Sequence, residues 1–234
     1  TTGLKYMMQK AEQNGNIDLF ITTNVLPPEA VMQLIEFDGE NLIFRNLKAL
    51  SRLTPKHLWR WQGSLEFERV SDLYLNVAKE MRQFSGKKLG FDGLRLLRGD
   101  VAVQIGRCRA KILSLSGLTN ISEDVLLALS AFDGDLIQFN GIKTLTISQA
   151  TALSKFKVSN IELWGLESVD PEVANVLTNF ASLSDSQLIN KIFLLIAIFN
   201  SSSDLPTPEK TIFFGLIPAL RAFNSSPPET TSAP

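Results

Sequence analysis

Leu113-Ser-Leu115-Ser-Gly117-Leu118-Thr-Asn-Ile121, continuing through Val125, Leu129 and Phe132 to Gly134, decides the fold, because its spacing recurs about every 24 residues in both directions. Forward steps reach Ile137, Phe139, Gly141, Ile142 and Phe156, then Ile161, Leu163, Gly165, Leu166, Val173, Leu177 and Phe180. A backward step reaches Leu89, Phe91, Gly93, Leu94, Val101, Ile105 and Cys108, and a further one reaches Leu65, Phe67, Val70, Val77, Met81 and Phe84. With one residue missing between Trp61 and Leu65, the register continues through Leu42, Phe44, Leu47, Leu50, Leu58 and Trp61. A first copy closes on Leu26, Ala30, Leu34 and Phe37, its opening strand ambiguous by one residue. Self-similarity at this period predicts a solenoid, an architecture that generally binds partners rather than transforming them.

Within each copy the apolar period changes from two to helical. Leu113 and Leu115 alternate with Ser114 and Ser116, as in a short strand with one buried face. Val125, Leu129 and Phe132 then fall at i, i+4 and i+7, the inner stripe of a helix of two to three turns. Asp170-Pro171-Glu172 and Thr54-Pro55 place a capping side chain ahead of a first-turn proline. Gly39, Gly63, Gly86 and Gly134 each stand two residues beyond the aromatic that closes a helix, where a left-handed terminating residue is expected. A strand and a helix in every unit cannot pair as a hairpin, so successive strands must stack in parallel, with the helices on the other, convex side.

These features resemble the leucine-rich repeat family over about residues 17–180. More narrowly they look like its bacterial variety, which reads Leu-x-Leu-x-Gly-Leu-x-x-Leu-Ser-x-Glu-x-Ala-x-x-Leu; Leu113 to Val125 and Ile161 to Ala174 are the good matches. The resemblance implies an α/β, right-handed solenoid with parallel strands on a concave side and a role in recognition. The family's usual asparagine, which ladders along the loop backbone, has no regular counterpart here, and Gly93, Gly117, Gly141 and Gly165 occupy the nearby turn.

The organisation expected is an N-terminal capping helix over 1–16, seven units over 17–183, a helical cap over 184–224 and a disordered tail or linker over 225–234. Leu4 to Glu12 reads as the amphipathic first cap, and Ile192–Phe199 with Phe213-Phe214 as the apolar part of the second. Eight apolar residues fall far short of the ~20 needed to span a bilayer, so cap packing is the favoured reading, with partner docking or shallow membrane contact behind it. Thr1 in place of an initiator methionine predicts a processed chain or a piece of a longer one.

Composition removes several function classes. A net charge of −1 offers nothing for nucleic acid or an anionic membrane overall. Cys108, the only cysteine, excludes an internal disulfide and a multi-cysteine zinc site, and leaves the compartment undetermined. It also falls in the column of Phe37, Trp61, Phe84, Phe132, Phe156 and Phe180, which makes it core filler rather than a nucleophile. His57, the only histidine, lies in a column of mixed residues at a partly exposed helix position, so a solvated or capping-turn role outweighs a catalytic one. Glu66 and Glu68 share a strand face without a second set of ligands at metal-site spacing. The sequence therefore predicts neither an enzyme nor a cofactor or metal.

What the repeat leaves free is one sheet face. Strand alternation assigns to it Ile43, Glu66, Gly90, Ser114, Gln138 and Glu162 in one column, and Arg45, Glu68, Asp92, Ser116, Asn140 and Trp164 in the next. Arg45, Glu66, Glu68, Asp92, Asn140, Glu162 and Trp164 are the candidate contacts for a protein partner. Trp164 reads either as an interface anchor or as a residue covered by the C-terminal cap. The competing function is that of an assembly subunit whose apolar C-terminal helices contact neighbours.

Overall fold

The computed structural model describes residues 8–13, 16–21, 26, 31–32, 34, 40–50 and 55–182, of which 8–13, 16–21, 55–56 and 178–182 are described as backbone only. The strands are β1 Met8–Gln13, β2 Asn16–Ile21, β3 Asn41–Phe44, β4 Ser64–Phe67, β5 Lys88–Gly90, β6 Ile112–Ser114, β7 Leu136–Gln138 and β8 Asn160–Glu162. The helices between and after them are α1 Pro55–Leu58, α2 Leu75–Met81, α3 Gly99–Ile105, α4 Glu123–Leu129, α5 Ile147–Leu153 and α6 Pro171–Ser182. The strands form one sheet in chain order, β1 to β8. From β3 to β8 strand and helix alternate, every strand pair is parallel, and neighbouring helices pack in chain order from α1 to α6. This is a solenoid-like α/β arrangement.

Register follows the repeat. Leu65 pairs with Leu89, Leu89 with Leu113, Leu113 with Ile137 and Ile137 with Ile161. The short unit appears as Leu42 opposite Leu65 and Phe44 opposite Phe67. The ambiguous first strand is set by Leu19 opposite Leu42 and Ile21 opposite Phe44. The strand and helix stripes together form one continuous core from Leu26 to Leu177, which no single unit could bury alone.

The N-terminal segment corrects the expectation. Met8–Gln13 is a strand, not part of a capping helix over 1–16, and it pairs antiparallel with β2 from Met8↔Ile21 to Gln13↔Asn16. Asn14-Gly15, a dipeptide strongly favoured in two-residue hairpin links, stands between them in the sequence and outweighs the short helical spacing. The expected cap over 184–224 and tail over 225–234 lie outside the described residues.

Local chemistry sets the helix starts. α6 begins at Pro171 as the Asp-Pro-Glu signal predicts, and the Asp170 carbonyl accepts from the Ala174 amide at 2.9 Å. Ser122 caps α4 by accepting from the Val125 amide, and Thr146 forms a reciprocal capping box with Gln149 at α5. The Gln149 side chain also donates to the Ile121 carbonyl at 2.6 Å, tying this cap to the preceding unit.

The glycines have a different role from the one expected. None of Gly63, Gly86 and Gly134 adopts the left-handed backbone expected after a helix, and the cap residues Arg82, Gly106, Ser130 and Ser154 are right-handed helical. What these glycines allow is close stacking: a Cβ on Gly86 would meet the Gly63 carbonyl oxygen at 2.5 Å, and one on Gly134 the Ala110 carbonyl oxygen at 2.5 Å. Gly39 lies outside the described residues.

Candidate binding surface

Strand alternation sends Leu42 and Phe44, Leu65 and Phe67, Leu89 and Phe91, Leu113 and Leu115, and Ile137 and Phe139 into the core, all with no measurable exposure. The residues between and after them lie on the other face of the sheet, half-buried or exposed except for Gly90 and Ser114, which are buried. A third column of the same parity was overlooked: Asn41, Ser64, Lys88, Ile112, Leu136 and Asn160, each one residue ahead of the first buried strand position.

Lys88, from that overlooked column, changes the character of the face. Its Nζ donates to Glu66 Oε2 at 2.7 Å, and both side chains are only 24% exposed. Arg45 lies 3.9 Å from Glu68, with both side chains about half exposed. The Asp92 carboxylate accepts from Ser114 Oγ at 2.6 Å and from the Ser116 backbone amide at 3.0 Å. Glu162 Oε2 accepts from Gln138 Nε2 at 2.7 Å and from Asn140 Nδ2 at 3.3 Å. Asn140 Oδ1 in turn accepts from the Trp164 backbone amide at 3.0 Å. The acidic patch read around Glu66, Glu68 and Asp92 is therefore largely paired within the face. Two cations, Arg45 and Lys88, meet four carboxylates, Glu66, Glu68, Asp92 and Glu162, an excess of two negative charges.

Asp92 and Asn140 also link successive units. Each accepts from a backbone amide 24 residues ahead, so at two steps a side chain in this column bonds the next unit's main chain. The spacing was visible in the sequence; the alternation of acceptor residues with Glu68, Ser116 and Trp164 concealed it.

The structure brings Glu66 of β4 together with Arg45 and Glu68, which directly follow β3 and β4, and Glu162 of β8 together with Asn140 and Trp164, which lie two residues beyond β7 and β8, with Asp92 between the two groups. Trp164 is 55% exposed and is among the most exposed large apolar residues described. Such a side chain on a hydrogen-bonded sheet presents contact area at little ordering cost.

His57 and Cys108, the sole histidine and the sole cysteine, occupy different environments. His57 sits in the four-residue α1, half-buried, with Nδ1 buried and without a hydrogen-bond partner among the described residues. Cys108 is 1% exposed within the aromatic column, beside buried Phe84 and Phe132 in register. Burial pushes its thiol up from an ordinary 9.0 to about 12. The unfolded thiol ionises first, so this group's contribution to stability is intact below pH 9 and is lost as pH rises toward 12. At pH 8 such a shift lowers the thiolate population about a thousandfold. Iodoacetamide is therefore expected to label Cys108 only as fast as the protein opens, and rapidly once urea unfolds it; rapid labelling of the folded chain, read by intact mass, would contradict this placement.

Among the described residues no group of histidine, cysteine or carboxylate side chains could hold a metal ion, and no helix is long and apolar enough to cross a membrane. No protein-family model matches the chain, and no curated protein matches it significantly.

Proposed function

We propose that the chain is a right-handed solenoid of the leucine-rich-repeat type, in the bacterial variety, and that it recognises a protein partner through the concave sheet face without performing catalysis. The observation that carries this reading is the open face itself. Its polar side chains are held by cross-strand hydrogen bonds from Glu66 to Trp164, and beside its last described strand stands an indole that is 55% exposed. Contacts fixed before association lower the entropy lost on binding, and an exposed tryptophan on a rigid scaffold is a common hot spot. The excess of negative charge favours a partner presenting cationic and hydrogen-bonding side chains.

Glu66 is a poor residue to reverse, because its removal strands Lys88. Glu68 and Trp164 are better targets, being more exposed. Immobilised wild-type chain should capture a partner from its native source that is at least about tenfold depleted on the Trp164→Ala, Glu68→Lys double variant, the loss of one hot spot being worth ~1.4 kcal/mol or more. The variant should retain the wild-type circular dichroism spectrum and melting temperature. Equal capture by a folded double variant would remove the sheet face as the recognition surface.

A further inference from the structure

A net charge of −1 conceals a strong local asymmetry. The turns that follow α1, α2 and α3, with Lys79 of α2, border an open groove of about 560 Å³ whose wall carries Trp59, Lys79, Arg82, Arg107 and Arg109, with no carboxylate among its lining residues. Arg60, which does not line the groove, holds its guanidinium 5.2 Å from the centre of the Trp59 ring. None of the four lining cations belongs to an ion pair among the described residues, although Lys87, Lys88 and Lys143 elsewhere each bond a carboxylate within 2.8 Å.

The repeat explains how these side chains converge. Arg82 is the C-cap of α2, its amide donating to the Ala78 carbonyl at 2.9 Å. Arg107 follows α3, its amide bonded to the Gln104 carbonyl at 3.2 Å. The Arg109 amide donates to the Phe84 carbonyl at 2.8 Å, which fixes this arginine beside the turn of the preceding unit. The backbone of the groove is thus set by its own hydrogen bonds, and Trp59 is packed on the core. One cation per helix C-terminus would satisfy the helix dipole. Four lining one groove repel one another, an unfavourable arrangement that a bound polyanion would offset. α4 ends instead on Ser130 and Ala131 with Asp133 following, so the positive lining stops at the next unit.

The geometry points to a binding site for a small polyphosphate, or a small molecule carrying clustered phosphate groups, in this groove. Guanidinium groups suit it because each can donate two parallel hydrogen bonds to a phosphate, and three of the four cations are arginines. The groove spans only neighbouring turns, which fits a compact ligand better than an extended polymer.

Isothermal titration of the full chain with sodium tripolyphosphate at low ionic strength tests this directly. Saturable binding is expected that weakens steeply as salt is raised, since the charges are exposed. Arg82→Gln and Arg107→Gln should each weaken it about tenfold, as loss of a charge-assisted hydrogen bond does. Lys155→Gln, an exposed lysine after α5 that lies outside the groove, should leave it unchanged. Tryptophan emission should change on binding, and Trp59→Phe should abolish most of that change. Failure to saturate, or equal affinity in the Arg82 and Arg107 variants, would overturn the proposal. So would tighter binding of a thymidine oligonucleotide than of tripolyphosphate at the same salt, which would mark a nucleic-acid surface instead.

Discussion

Phe67→Ala is expected to lower the unfolding free energy by about 4 kcal/mol, as truncation of a fully buried phenylalanine does. Phe67 has no exposed surface, and its ring stacks between two others, 4.9 Å from Phe44 and 5.2 Å from Phe91, with interplanar angles of 18° and 12°. Each such contact adds ~1 kcal/mol beyond burial. In a repeat array the position carries further weight, because stability is a sum over neighbouring interfaces and this ring belongs to two of them. Leucine fills the same column at Leu115 and Leu163, so Phe67→Leu should cost only about 1–2 kcal/mol. Urea unfolding followed by far-ultraviolet circular dichroism distinguishes the two. Similar midpoints for the alanine and leucine variants would show that the stack contributes little.

The repeat alone places Phe67 in the core. Buried positions repeat because every unit meets the same neighbours, so Leu65, Leu89, Leu113 and Ile137 reveal one another and even place the missing residue before Leu65. Cys108 could be assigned to packing by its column, without knowledge of its surroundings. The ends lack this redundancy. Met8–Gln13 has no copy in the repeat to compare with, and its helical spacing gives way to antiparallel pairing with Asn16–Ile21. The open face was legible in its direction but not its electrostatics. Alternation put Glu66 and Glu68 on one side; that Lys88 would neutralise Glu66 depended on a cross-strand distance of 2.7 Å between residues in adjacent columns. The basic groove was less legible still, because Lys79, Arg82, Arg107 and Arg109 occupy different columns of the repeat and only the stacking of turns makes them neighbours.

Gly117→Ala should be nearly as damaging as Phe67→Ala, for a reason unrelated to side-chain burial. Gly117 stands at the turn after β6, where the next unit is laid directly on the backbone of the last. A Cβ there would press inside van der Waals contact with the Asp92 carbonyl oxygen and lie 2.5 Å from that of Leu94. Both obstacles are main-chain atoms of the preceding turn, so no rotamer change relieves the clash. The units must separate locally, at a cost of about 3 kcal/mol, the upper part of the range for overpacking. Gly141 and Gly165 face the same arrangement against Ser116 and Asn140, so the constraint belongs to the stacking and not to one turn. Gly99 supplies the contrast. It begins α3, is exposed, and an added Cβ would meet nothing within 4 Å. Gly99→Ala should therefore stabilise the chain by up to ~1 kcal/mol, through a less flexible unfolded state and better helix propensity. Thermal melts should move in opposite directions for the two substitutions, by ~2–4 °C for each kcal/mol at this chain length. A Gly117→Ala variant as stable as the Gly99→Ala one would mean that the turns are not held in the close contact that allows the units to stack.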